Sequence, residues 1–318
     1  MSATPVSEKP EAADQPGGPR RSLTPAEMKR IAQRKKPTAK QIIAQIATYV
    51  GMGLIVLYCI IPFYWMIVSS LRLPTEGQST EFLPNPASLE NFFAVFSSGN
   101  NFGAALARSL VISTVSTVIC LVIGIAASYA LARLRFPGKT FVLWLIISVS
   151  MFPVITLIVP LFKMFSGGGY SWWPFTWIDT PQALILPNIS FALPLTVWNL
   201  TAFFRQLPQE LEQAAMVDGC TPAQAFRKVI LPLAAPGVFT TAIITFIAAW
   251  NEYLIALRFG PNMQTATVAI SKFTGISNFD TPYGSIMAAG VVVTVPLLIV
   301  VLIFQRRIVA GLTAGGIK

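Results

Sequence analysis

The chain has 318 residues, of which 54% are hydrophobic and only 11% charged, and it carries a net charge of +10. That composition belongs to a polytopic membrane protein rather than to a soluble core. There is no histidine, which removes the usual general base and the commonest neutral metal ligand; the bases lie in an N-terminal tail or beside apolar runs, a placement that does not suit nucleic-acid binding.

Residues 1–40 form a region of their own. Residues 1–18 are rich in Pro, Ala, Glu and Gly and are expected to be disordered. They are not a secretory signal, because the charged part is long and no cleavable apolar core follows at the right distance. Thr24 and Glu27 fit a capping box for a short helix that Pro37 interrupts. Nine Lys/Arg against four Asp/Glu make this tail positive, and it reads as a topogenic segment drawn to lipid headgroups.

A membrane span needs about 20 mainly apolar residues. Six segments qualify: 43–71, 106–131, 141–165 (interrupted by Pro153 and Pro160), 183–204 (with Pro187 and Pro194), 238–257, and 285–304 (with Pro296). The prolines do not exclude spans, since neighbouring helices in a bundle satisfy the freed carbonyls. With the tail in the cytoplasm, eighteen Lys/Arg fall inside and five outside, the bias that sets orientation. The expected fold is an all-α integral membrane protein: a basic tail at 1–40, then a six-helix transmembrane domain at 41–318. Both termini and the polar loop 205–237 are expected in the cytoplasm.

The outer loops differ in kind. Residues 72–105 contain Leu83-Pro84-Asn85-Pro86 and the pair Phe92-Phe93, which predict a short surface helix from Ser88. Residues 166–181 carry Gly167-Gly168-Gly169, then Tyr170, Trp172, Trp173 and Trp177. These aromatics suit an interface belt first and sugar stacking second. Residues 258–283 are polar and turn-rich.

No catalytic equipment is evident. Cys59, Cys120 and Cys220 are scattered without metal spacing and read as small apolar fillers. No G-x-x-x-x-G-K-[ST] phosphate loop occurs. The intramembrane polar residues Asn188, Asn199, Asn251 and Glu252 are therefore the candidates for a solute path. A charged carboxylate in hydrocarbon costs about 3 kcal/mol or more, so Glu252 must face a polar route, find a partner or sit near an interface. Asn188 and Asn199, eleven residues apart, lie near one helix face and suit helix–helix hydrogen bonding.

The loop 205–237 is the sharpest feature. Pro208, Glu210 and Glu212 suit the opening turn of a helix, and Gly219 can close it. Thr221-Pro222-Ala223-Gln224 fits a second start, with Thr as N-cap and Gln three residues on. Pro232 and Pro236 are expected to stop that second helix before the next span. On the first helix Glu212, Ala215, Met216 and Gly219 share a face. A helix this short needs a surface to dock into, either the chain's own spans or a groove on a cytoplasmic partner.

These residues carry a resemblance. Glu212-Gln213-Ala214-Ala215, then Asp218-Gly219, then Ile230-Leu231-Pro232 resemble the EAA loop of bacterial ABC importer permeases. The run Leu207-Pro208-Gln209-Glu210-Leu211-Glu212 before it, Phe246 to Trp250-Asn251-Glu252 after it and the ending Gly311-Leu312-Thr313-Ala314-Gly315-Gly316 are similar to the carbohydrate importer permeases of the maltose type, second permease subunit. The resemblance covers 43–318.

It implies a half-channel in the bacterial cell membrane, paired with a second homologous permease subunit, two cytoplasmic ATPase subunits and an extracytoplasmic sugar-binding protein. It implies that Glu210, Glu212, Gln213, Ala214, Ala215, Met216, Asp218, Gly219 and Pro232 couple the chain to an ATPase. ATP and Mg would then sit on that partner, with no cofactor on this chain. The loop 258–283 would probe the binding protein and 311–318 would approach the ATPase interface. The solute would be a disaccharide such as maltose or trehalose, with most sugar contacts on the other permease. One departure stands: Gln213 occupies a position where the family usually has Glu. The alternatives are a self-sufficient secondary transporter, whose inverted repeats and intramembrane acid–base pairs are not evident, a membrane enzyme and a transport-inactive scaffold.

Overall fold

Long apolar runs without internal polar gaps fold as helices because a bilayer offers no partner for free backbone amides. The computed structural model describes residues 38–76, 79–97, 101–167, 176–273 and 282–314, with residues 305–314 described by their backbone alone. The tail expectations, including Thr24 and Glu27, lie outside the described residues, as do Gly168, Gly169, Tyr170, Trp172 and Trp173, residues 274–281 and the last four residues. The chain divides into two compact units, Met1–Ile60 and Ile61–Lys318.

The elements run in order as α1 (Ala39–Ser70), α2 (Glu90–Val95), α3 (Phe102–Arg133), α4 (Lys139–Ser150), α5 (Val154–Phe165) and α6 (Pro181–Gln206). There follow α7 (Glu210–Val217), α8 (Pro222–Leu233), α9 (Ala235–Trp250), α10 (Leu254–Phe259), α11 (Ala266–Ser271) and α12 (Tyr283–Ala314). Among the described residues four helices are long and apolar enough to cross a membrane, α1, α3, α6 and α12 over Tyr283–Phe304. The pairs α4–α5 and α8–α9 bring the number to six if each bent pair is one span. At 1.5 Å per residue the 32 residues of α3 extend about 48 Å, longer than a hydrocarbon core of about 30 Å. Short α2 lies in the loop where a surface helix is expected.

The two bent pairs have different causes. Between α4 and α5 the axis turns by 88°. Pro153 bars Phe152 from helical geometry, and the amides of Met151 and Phe152 fall back on the carbonyls of Ser148 and Val149, both at 3.2 Å. Each arm has 12 residues, about 18 Å, so neither crosses alone. Between α8 and α9 the axis turns by 70°. Here α8, which carries a π-helical turn at Phe226–Ile230, ends at Leu233, one residue after Pro232, so the expected stop before the next span is met. Pro236 does not take part in that stop, because it lies inside the first turn of α9. A proline in the first turn of a helical segment adopts its own preferred φ and gives up only a donor that had no partner.

The fifth apolar run is not one helix to residue 257. It ends at Trp250, and α10 restarts at Leu254. Residues 258–273 are also more ordered than their composition suggests: α11 packs on α3, and the amide of Ala266 donates to Ser109 Oγ at 2.8 Å.

The centre is built by α3, α6 and α9, whose mutual contacts are among the most extensive in the molecule. One face of α3 presents Ser109, Ser113, Ser116, Thr117, Cys120, Gly124 and Ser128, all buried. Small residues let helices approach closely where no hydrophobic drive joins them. A Cβ on Gly124 would stand 2.6 Å from Thr196 Cγ2, so only Gly fits. The hydroxyls of Thr196 and Thr245 lie 3.0 Å apart, joining α6 to α9, and Cys120 Sγ donates to Thr196 Oγ1 at 3.3 Å. A second polar knot ties the end of α1 to the loop after it. Buried Arg72 donates to the carbonyls of Ser79 and Glu81, and Asn91 Nδ2 donates to the Ser70 and Arg72 carbonyls at 3.2 and 2.7 Å.

Candidate functional site

The loop between α6 and α9 forms from local signals that the sequence spells out. Glu210 and Glu212 occupy the first turn of α7, where carboxylates complement the helix dipole. The helix ends in a Schellman arrangement. Cys220 N donates to the Ala215 carbonyl at 3.0 Å and Gly219 N to the Met216 carbonyl at 3.1 Å, with Gly219 at φ +89°. A Cβ on Gly219 would meet nothing within 4 Å, so the backbone angle alone demands glycine there. Thr221 then caps α8: Gln224 N donates to Thr221 Oγ1 at 3.3 Å, and Thr221 N donates to Gln224 Oε1 at 2.9 Å. Both halves of the capping box are present.

The structure divides the face that Glu212, Ala215, Met216 and Gly219 share. Glu212 and Ala215 turn toward the chain's own helices, whereas Met216 and Gly219 are exposed. Tyr129 Oη, near the end of α3, donates to Glu212 Oε1 at 2.5 Å. Arg133 Nε lies 3.8 Å from Glu212 Oε2, with side chains 5% and 16% exposed. Arg133 Nη2 donates to the Leu207 carbonyl at 2.8 Å, holding the lead into α7. The Tyr129 ring packs 4.4 Å from the Phe226 ring and 6.0 Å from that of Phe204. Beneath them Leu200, Phe204, Ile230 and Ala234 form a buried cluster. Lys139 Nζ donates to the carbonyls of Ala132 and Leu134, both at 3.3 Å, closing the end of α3.

The opposite side of α7 is left bare. Glu210, Gln213, Ala214 and Asp218 are exposed, and Val217 is 87% exposed. Pro232 is exposed on α8, one turn before the bend. Tyr129 and Arg133 are the residues that sequence reasoning missed. Their signal is a Tyr and an Arg four residues apart, on one face at the end of an apolar helix.

Of the four intramembrane candidates only Asn188 and Glu252 share a cavity. Glu252 sits just beyond α9, and its carboxylate takes the first amides of α10: Ile255 N donates to Oε1 at 2.7 Å and Ala256 N to Oε2 at 2.9 Å. Its carbonyl accepts from Thr267 Oγ1 at 2.8 Å. Asn188 lines one cavity with Glu252, of about 240 Å³, together with Phe191, Thr245 and Ile255. An adjoining cavity of about 410 Å³ shares Val154 and Phe191 and reaches the α4–α5 elbow through Ser150, Phe152 and Pro194. Asn188 Nδ2 donates within its own helix, to the Leu184 carbonyl at 2.8 Å. The polar ties between helices here are Thr196–Thr245 and Cys120–Thr196 instead. Asn199 is half-buried on α6 and lines neither cavity. Asn251 is exposed and donates to the Ile247 carbonyl at 2.9 Å. Trp177, expected in an interface belt, packs 5.5 Å from the Phe165 ring at the edge of a buried cluster.

Residues 120–313 match the family described as binding-protein-dependent transport system inner membrane component. The chain is 46% identical over 279 residues to the trehalose transport system permease protein SugB of Mycobacterium tuberculosis, covering 86% of this chain and 99% of the relative. It is 37% identical over 282 residues to the trehalose/maltose transport system permease protein MalG of Thermococcus litoralis, covering 88% and 99%. In fold it is similar to a chain from the crystal structure of a bacterial ABC transporter involved in the import of the acidic polysaccharide alginate. That match has a TM-score of 0.68 at 19% identity and covers 85% of this chain and 98% of the other.

Proposed function

This chain belongs to the binding-protein-dependent transport system inner membrane components, and we propose that it is one permease subunit of an ATP-driven disaccharide importer, taking its energy through α7. The observation that carries this reading is the bare side of α7. An eight-residue helix cannot hold itself in water; one face is fixed to its own chain, and the other offers Gln213, Ala214, Met216 and Val217 with Glu210 and Asp218 at its ends. A short helix with an apolar centre and acidic ends suits a shallow groove on another protein.

The loop and both termini then face the cytoplasm, in agreement with the Lys/Arg bias, and the six spans form half of a path completed by a second, homologous permease. Two ATPase subunits hold the ATP and Mg, and a binding protein delivers the solute from outside. The wall of the path on this chain is the cavity lined by Asn188, Phe191 and Glu252, together with the one that adjoins it at Phe191. Their largely apolar lining agrees with a minor share in sugar contact. Trehalose or maltose is the solute class that the names of the two relatives support. Membership of the family stands against a self-sufficient secondary transporter.

Co-purification from native membranes tests the assembly: a second permease, an ATPase and a sugar-binding protein are expected together, and their absence would remove the reading. Gly219→Leu tests the loop. An L side chain at φ +89° is strained, so α7 is displaced, ATP is still hydrolysed and uptake falls while the chain still inserts. Undiminished uptake with an unchanged ratio of solute to ATP would count against energy entering through α7.

A further inference from the structure

The polar contacts beneath α7 have a direction. Among the described residues, the side-chain polar ties from α7 and its lead-in to another long helix end on two side chains of α3. Glu212 reaches Tyr129 and Arg133, the Leu207 carbonyl reaches Arg133, and Phe226 reaches the Tyr129 ring. The π-helical turn at Phe226–Ile230 presents Phe226 to Tyr129, and such turns recur at functional positions in helices. The contacts bridge residues 83 and 74 apart in sequence, so they join separate elements and shape no local turn. Arg133 Nε is buried without a hydrogen-bond partner, facing Glu212 Oε2 at 3.8 Å. The pair is thus an ion pair with room to close by about 1 Å before reaching hydrogen-bond length.

We propose that Tyr129, Arg133 and Glu212 form an intramolecular latch that makes α7 move as one body with the end of α3, so that Glu212 is a positioning residue spent inside the chain and not a contact to the partner. The physical reason is cost. Removing one member leaves a buried charge or hydroxyl without its partner, which is far more expensive than losing an exposed contact. A push on the bare face of α7 is therefore passed to α3, the helix that also packs on α6 and α9. The charge offered outward comes from Glu210 and Asp218, both exposed. This inference rests on the proposed docking of an ATPase at α7.

The test uses the whole reconstituted assembly in proteoliposomes with its binding protein, loaded with trehalose or maltose. Tyr129→Phe keeps the ring packing and removes only the donor. Glu212→Gln keeps an acceptor for Tyr129 and removes the charge, and Glu212→Ala removes both. The expected result is an uptake-to-ATP ratio lowered about tenfold in Tyr129→Phe and in Glu212→Ala, a size typical of coupling between sites. Glu212→Gln should retain more of the ratio than Glu212→Ala. The double variant Tyr129→Phe with Glu212→Ala should be no worse than Glu212→Ala alone, because the bond that Tyr129→Phe removes is already broken there. ATPase subunits should stay bound throughout. A normal ratio in Tyr129→Phe with the ATPase still bound would overturn the latch and leave the proposed function standing. A loss confined to the amount of folded complex, with a normal ratio in what survives, would reduce the three residues to structure and overturn it too. An assembly without any ATPase in the unaltered protein would instead sink the proposed function.

Discussion

Glu212 and Glu252 stand in similar places and do opposite things. Each lies where an apolar helix breaks, each is at least half-buried, and each has both carboxylate oxygens engaged. Glu212 reaches across 83 residues to Tyr129 and so ties one element to another. Glu252 reaches three and four residues along its own chain, to the amides of Ile255 and Ala256. A carboxylate that satisfies neighbouring amides closes a break and stabilises the fold locally. A carboxylate bound to a distant side chain makes two elements share a motion. On the proposed latch, where the acceptor is spent separates a coupling residue from a folding residue.

The largest expected effect is at Glu212. Its replacement by Ala leaves the 5%-exposed Arg133 side chain without its counter-charge, and breaking such a pair costs about 3 kcal/mol. The loss should be local. Hydrogen exchange across residues 207–217 should rise steeply while the amides of α6 keep their protection. Equal loosening of α6 and α9 would erase the contrast with Glu252, because Glu212 would then support the whole bundle.

Glu252→Ala should come next, at about 1–2 kcal/mol, the usual value of an N-terminal cap lost with two amides left bare. The expected reading is a lower unfolding temperature of the detergent-purified complex and faster exchange at Ile255 and Ala256. Glu252→Gln keeps one accepting oxygen and should lose less. The uptake-to-ATP ratio should change less than in Glu212→Ala; a larger change would invert the comparison and make Glu252 the coupling residue.

The contrast also marks what the sequence makes legible. Local devices were readable: the Thr221–Gln224 capping box, the closing Gly219 and the break ahead of Pro153 all follow from residue types at fixed offsets and recur in the structure. The family membership was readable for the same reason, since it rests on a spaced motif. The break after Trp250 was not, because no Gly or Pro marks it. It arises from the Glu252 side chain competing with backbone carbonyls for the amides of the next turn, a choice that apolar periodicity does not record. The place of Pro236 inside the first turn of α9 was missed because a proline reads as a stop unless its place in a helical first turn is known. Tyr129 as the partner of Glu212 was beyond reach: which face of α3 meets α7 depends on helix rotation, and rotation is set by packing against neighbours.

The smallest expected effect lies between the two regions, where the Thr196 and Thr245 hydroxyls join α6 to α9 at 3.0 Å. Thr245→Val keeps the shape and removes the hydroxyl. Thr196 keeps a donor in Cys120 Sγ, at 3.3 Å, so no buried group is left wholly alone, and interhelical hydrogen bonds of this kind average about 0.6 kcal/mol. The expected outcome is a slight fall in unfolding temperature with an unchanged uptake-to-ATP ratio. Side-chain complementarity at Gly124, where a Cβ would sit 2.6 Å from Thr196 Cγ2, holds α3 and α6 together whether or not that bond forms. A drop in the ratio comparable with that of Tyr129→Phe would mean that α6 and α9 slide on each other during transport. The push on α7 would then be divided at the bundle centre, not delivered through α3 alone.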